Sequence, residues 1–256
     1  MPREFTVGRL AVHVLPTGPS MAEQAAKHVA KAFQDLGGNG PVNILFGGAE
    51  SQIAFHRELA NREDIDWARV HAFNVDDYWE PTMDRRFSVA ACIETYLYGA
   101  VRPARIDGLN CCALDAERER ARYEEVLRDH RLHIACIGVG ESGHIGLNEP
   151  CQTSFEDSSL ARIITLPEAS RSQLQRDQFL GGTEIPHRGI TTTIPKIMEA
   201  RTVLAVVPFR NKAQVVRRLL TEPVSEACPA TILRTHPNAH LYLDAESASL
   251  LVPGPS

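Results

Sequence analysis

The run HIACI (133–137) followed by GVGESGHIGLNEP (138–150) decides the reading of this chain. Five compact residues, mostly apolar, read as a buried strand. A glycine-rich turn at the end of a buried strand is where open α/β sheets place their chemistry. This turn carries His144 and Glu149, a group that titrates near neutral pH and a carboxylate on one short loop. The glycines at 138, 140 and 143 also match the dinucleotide fingerprint G-x-G-x-x-G. That fingerprint needs a long helix to follow at once, and Gly146 and Pro150 would break one. A plain structural turn is the other alternative; His144, Asn148 and Glu149 together on one loop weigh against it.

Outward from this loop, strand and helix patterns alternate, which predicts an α/β fold with a mainly parallel sheet covered on both faces. Leu10–Leu15, Val42–Phe46, Arg69–Val75, Thr202–Val207 and Leu241–Leu243 read as strands. Ile163–Leu166 and Ile190–Ile194 read as further extended pieces. Ser20-x-x-Glu23 reads as a capping box for a helix that Gly37-Gly38 ends. Helices are also expected over Val89–Leu97, Asp115–His130, Glu168–Phe179 and Asn211–Leu220. No repeat or long linker divides the chain, so one domain over 1–256 is expected.

Composition narrows the function. The 256 residues are 43% hydrophobic and 23% charged, with a net charge of -5. No basic cluster offers a nucleic-acid surface. No apolar run approaches the roughly 20 residues that span a bilayer, and the N-terminal residues lack a signal-peptide core. A cytoplasmic protein is therefore expected, with its six cysteines as free thiols. No Cys/His spacing points to a zinc site.

Strands of a parallel sheet end on one edge, so the loops Gly47–Gln52, Asn74–Tyr78 and Gly138–Glu149 should meet. The Gly47-Gly48 turn opens a helix, whose free N–H groups suit an anion, and Ser51 adds a hydroxyl. Of the adjacent Asp76 and Asp77, alternation aims one at the cleft while the other is placed to anchor backbone. An anion grip, a carboxylate base and a His/Glu pair suit proton transfer on a phosphorylated sugar. Lys212 and Arg176 are candidate cations for the phosphate.

These residues resemble the glucosamine-6-phosphate deaminase/isomerase family, within the group that includes 6-phosphogluconolactonase. The resemblance runs from about Val42 to Leu243. GVGESGHIGLNEP looks like the deaminase loop G-x-G-x-D/N-G-H-I-x-F-N-E-P, and FNVDDYW at 73–79 looks like F-N/H-M-D-E-Y. The resemblance implies a Rossmann-like fold with a lid in roughly Cys151–Pro186, and neither metal nor organic cofactor. It implies that Asp76 moves the C2 proton, that His144 opens the sugar ring and that Glu149 assists it. Gly47, Gly48, Ser51 and Gln52 fall on the phosphate loop, with Arg176 and Lys212 as its cations. The partner is a small sugar phosphate; family members range from monomers to homo-oligomers.

Three segments depart from the family pattern. Ser142 stands where many deaminases have an Asp that orients the His; Glu141 is the neighbour placed to substitute, and Ser142→Asp is expected to raise turnover. Gly48-Ala49 replaces a hydroxyl-bearing pair, and Glu50 adds negative charge beside the anion turn. Ile164 stands where allosteric members carry a Lys, so sugar-phosphate activation is not expected. The favoured function is an amino-sugar-phosphate deaminase. The alternatives are a lactone hydrolase of the 6-phosphogluconolactonase type and a sugar-phosphate-binding regulator with little catalysis.

Overall fold

A computed structural model describes residues 3–176 and 185–251, without the side chains of Gln173 and Arg176. Residues 177–184, part of the segment expected as a lid and of the helix expected over Glu168–Phe179, lie outside the described residues. The strands are β1 (Arg3–Val7), β2 (Leu10–Val14), β3 (Val42–Phe46), β4 (Val70–Asn74), β5 (Asp76–Trp79), β6 (Arg105–Asp107), β7 (Ile134–Ile137), β8 (Ala161–Thr165), β9 (Arg188–Thr192), β10 (Thr202–Val207) and β11 (Ala239–Leu243). The helices are α1 (Gly18–Asp35), α2 (Ile53–Ala60), α3 (Val89–Ile93), α4 (Gly99–Val101), α5 (Ala116–Asp129), α6 (Glu168–Arg176), α7 (Ile194–Met198) and α8 (Ala213–Thr221). A π-helical turn, Glu94–Tyr98, joins α3 to α4.

Eight strands form one sheet in the order β1-β2-β11-β10-β7-β3-β4-β6. All neighbours are parallel except β1 and β2. Successive strand residues feed opposite faces. Ile44, Phe46, Ile134, Cys136, Leu204 and Val206 join one core with Met21, Val29 and Phe33 of α1. Leu45, Ala135, Ile137, Val203 and Ala205 join the other with Tyr123 and Leu127 of α5. Strands apolar on both faces are what a helix-covered parallel sheet requires.

The start of α1 corrects the sequence reading. Its cap is Thr17, whose side chain accepts from Ser20 N–H while Ser20 reaches back to the Thr17 backbone. Gly18 and Pro19 begin the helix, because proline needs no hydrogen-bond acceptor in a first turn. Ser20 therefore closes the capping box instead of opening one.

The strand expected over Arg69–Val75 splits in function. After β4 the chain crosses at Val75, whose N–H donates to Phe46 at 2.9 Å and whose carbonyl accepts from Thr192 at 2.7 Å. It then enters β5 in a second, antiparallel sheet ordered β5-β9-β8. Asp76 is the first residue after the crossing, where the two sheets diverge.

Candidate active site

A cleft of about 940 Å³, its open mouth included, lies beyond the C-terminal ends of β3, β4, β7 and β10. The three expected loops meet there. Gly47, Gly48, Ser51 and Gln52 line one wall, and Asp76, His144, Glu149 and Lys212 line the rest. Ser142 and Glu141 sit just behind this lining, and the side chain of Arg176 lies outside the described residues.

The imidazole of His144 is held from one side. Its Nδ1 lies 2.8 Å from Glu149 Oε1 and 2.9 Å from Ser142 Oγ. Ser142 donates its own hydroxyl to Glu149 Oε2 at 2.9 Å, and Ser170 of α6 donates to Glu149 Oε1 at 2.5 Å. Burial pushes the Glu149 carboxyl up, but the charge of His144 and the hydrogen bonds from His144, Ser170 and Ser142 outweigh it and hold it below the usual range. An ionised Glu149 accepts from Nδ1–H, which leaves the Nε2 lone pair for proton exchange in the cleft. The ring lies against Gly140: a methyl group there would stand 1.9 Å from Nε2. That glycine is required by close approach.

The missing aspartate is thus replaced differently from what was expected. Glu149 is itself the carboxylate on His144, with Ser142 bridging the two. Glu141 accepts instead from Asn211 Nδ2 at 2.9 Å, at the rim of the cleft. Asn148 is buried, and its amide nitrogen donates to the carbonyls of Ile145 and Thr192 at 2.9 and 2.8 Å. It fixes the loop to β9.

The two aspartates divide as alternation requires. Asp77 accepts from the N–H groups of Tyr78 and Val89 at 2.8 Å and of Ala90 at 3.0 Å, so it caps α3 and anchors β5. Asp76 lines the cleft, and no donor among the described residues hydrogen-bonds its carboxyl. Burial, reinforced by the charge of Asp77, pushes Asp76 up to about 8. Burial also raises Asp77, to about 7, against the pull of its three backbone donors. Asp76 is therefore the carboxyl with both access to the cleft and a titration near neutral pH, the combination a general base needs.

The Gly47–Gln52 turn is built around close packing. A methyl group on Gly48 would stand 2.8 Å from Ile93 Cγ1 and 2.9 Å from Val89 Cγ1, so the approach of α3 accounts for the missing side chain there. Gln52 is buried, and its amide nitrogen donates to the Val206 carbonyl at 2.9 Å and to Ser51 Oγ at 3.1 Å. It ties the turn to the end of β10. Lys212, also buried, enters the cleft from the turn before α8. Glu50 lines the same wall. Phe209, at φ 81°, is a cleft residue in the left-handed region that nothing in the sequence flagged. Ile164 is buried in the core that α1 shares.

Fold and site together define an open α/β enzyme whose strand-end crevice pairs a raised carboxyl with a His–Glu couple. The chain belongs to the glucosamine-6-phosphate isomerases/6-phosphogluconolactonase family, whose model matches residues 16–242. A glucosamine-6-phosphate deaminase of Listeria welshimeri is 34% identical over 213 residues, covering 83% of this chain and 89% of that protein. One of Bacillus thuringiensis is 34% identical over 200 residues, covering 78% and 74%. The structure of a monomeric glucosamine-6-phosphate deaminase superposes with a TM-score of 0.83 at 26% identity, covering 93% of this chain and 99% of that one. The 6-phosphogluconolactonase of Trypanosoma brucei shares the fold, with a TM-score of 0.77 at 15% identity over 98% and 100%.

Proposed function

We propose that this protein is a glucosamine-6-phosphate deaminase, converting a 2-amino-2-deoxy-aldose 6-phosphate and water to the ketose 6-phosphate and ammonia. The observation that carries the reading is the single cleft that holds Asp76, without a hydrogen-bond partner among the described residues, together with the Glu149-held His144. His144 Nε2 takes the anomeric hydroxyl proton as the ring oxygen leaves C1 and is protonated. Asp76 removes the C2 proton of the open aldehyde and delivers it to C1, while O1 gains the proton that the amino group gives up. The resulting C2 imine adds water and expels ammonia.

The Gly47–Gln52 turn and Lys212 would hold the phosphate, with Arg176 a further cation and the segment 151–186 a lid over the sugar. Two features support the lid: Leu166, Ser170 and Leu174 line the cleft, and Ser170 bonds to Glu149. A lactonase needs no base for a carbon-bound proton, so Asp76 favours the deaminase over the hydrolase and over a non-catalytic regulator. The test is ammonia release from a panel of 6-phosphorylated amino sugars, run beside hydrolysis of 6-phosphogluconolactone. Ammonia from glucosamine 6-phosphate is the expected result; lactone hydrolysis alone, or no turnover of either substrate, would overturn it.

A further inference from the structure

Away from the cleft, β2, β11 and α1 bring three half-buried histidines together. One ring nitrogen from each of His13, His28 and His240 falls within 4.8 Å of the others. Each ring also has one nitrogen on an oxygen partner. His13 Nδ1 lies 2.9 Å from Glu4 Oε1, His28 Nδ1 lies 2.6 Å from the Tyr242 hydroxyl, and His240 Nε2 lies 3.0 Å from Asn238 Oδ1. This is the outer-partner pattern that orients metal-bound imidazoles and fixes their tautomers.

The inner nitrogens show why the cluster needs a cation. Glu4 and the Asn238 amide oxygen are acceptors, so His13 Nδ1 and His240 Nε2 carry hydrogens. That leaves His13 Nε2 and His240 Nδ1 as two lone pairs facing each other at 3.2 Å. A proton or a metal ion must lie between them. Two nitrogens about 2.1 Å from a tetrahedral zinc stand about 3.4 Å apart, close to the spacing found. A ring nitrogen of His28 falls within 4.8 Å of both sides of this pair.

We propose that His13, His28 and His240 form a binding site for one divalent transition-metal ion of the zinc class, with an open fourth position for water. Imidazole ligands select this class of ion over magnesium or calcium. None of the three lines the cleft, so the site is independent of the deaminase reading. Its place joins β2 and β11, neighbours in the sheet, to α1, so an ion there would clamp three elements.

The experiment is a Co²⁺ titration of the metal-free full chain, followed by visible absorption, with Zn²⁺ as competitor. The expected result is one equivalent bound with tetrahedral bands and no thiolate charge transfer. His28→Gln and His240→Gln should each weaken binding by about 100-fold or more, and Glu4→Gln by about 10- to 100-fold, while sugar turnover is unchanged. A purely structural histidine cluster would not make Glu4 affect metal affinity. As a check that needs no variant, Zn²⁺ should shift the ring ¹⁵N resonances of three histidines in the wild type. No saturable binding, thiolate bands, unmoved ring resonances or undiminished affinity in folded variants would each overturn the site in favour of a trapped proton.

Discussion

At the scale of single residues, Ser142 is where the structure changes the expectation most. As a departure from a family aspartate, it made Ser142→Asp look like a repair. The hydroxyl instead donates to Glu149, so a carboxylate at 142 would face a second one across a 2.9 Å contact. Like charges that close cannot both ionise, so the pair takes up a proton and the carboxylate that holds His144 Nδ1–H loses charge. Ser142→Asp should therefore lower kcat/KM at pH 7 at least as much as Ser142→Ala. The alanine variant loses hydrogen bonds to a charged group, worth about 1.5–3 kcal/mol, or about 10- to 100-fold in rate. A gain of turnover in Ser142→Asp would show that Glu149 is not the partner of the imidazole. Gly140→Ala isolates position from chemistry: its methyl displaces the ring and should cost about 100-fold in kcat while leaving every ionisable group present.

At the scale of elements, the turn after β3 and the turn before α8 both line the cleft. If they grip the phosphate, Lys212→Met should raise KM about ten- to a hundred-fold with kcat nearly unchanged. A variant that keeps wild-type KM for the phosphorylated sugar would move the phosphate elsewhere. The strand-end loops were legible because Asp76, His144 and Glu149 each follow a buried run that periodicity identifies. The partner from α6 was not. Ser170 lies 21 residues beyond Glu149 in a Gln/Arg-rich helix, and only tertiary folding brings it to the carboxylate. The second sheet was hidden for a similar reason: β5 runs on from β4 with one residue between, so the change of partner leaves no break in the sequence. The histidines of the proposed metal site come from three separate elements, a spacing no linear motif encodes.

At the scale of the whole molecule, one buried carboxyl sets activity and stability against each other. Asp76 is ordinarily ionised above its usual value of 3.8, but in the folded protein it keeps its proton up to about 8. Between those two values the folded chain binds more protons at this group than the unfolded chain. Its contribution to stability is therefore fully present below about pH 4 and is lost progressively as pH rises to about 8. Glu149, held low, acts in the opposite sense: its contribution is present above the ordinary glutamate value and is lost as pH falls through its folded value. Proton abstraction needs Asp76 ionised, so kcat/KM should rise with pH across the window in which Asp76 withdraws stability. Asp76→Asn separates the two effects. It keeps the shape of the side chain and cannot ionise, so kcat should fall about 10²- to 10⁴-fold with little change in substrate affinity. Its Tm should exceed the wild type's by a margin that is smallest near pH 4.5 and widens steadily as pH rises to about 8. Melting curves and initial rates for both proteins from pH 4.5 to 9 would measure the two trends side by side. A Tm difference that does not grow with pH would mean that Asp76 titrates as an ordinary carboxylate. The base would then have to be sought in another group at the cleft, because Asp77 is committed to the α3 backbone.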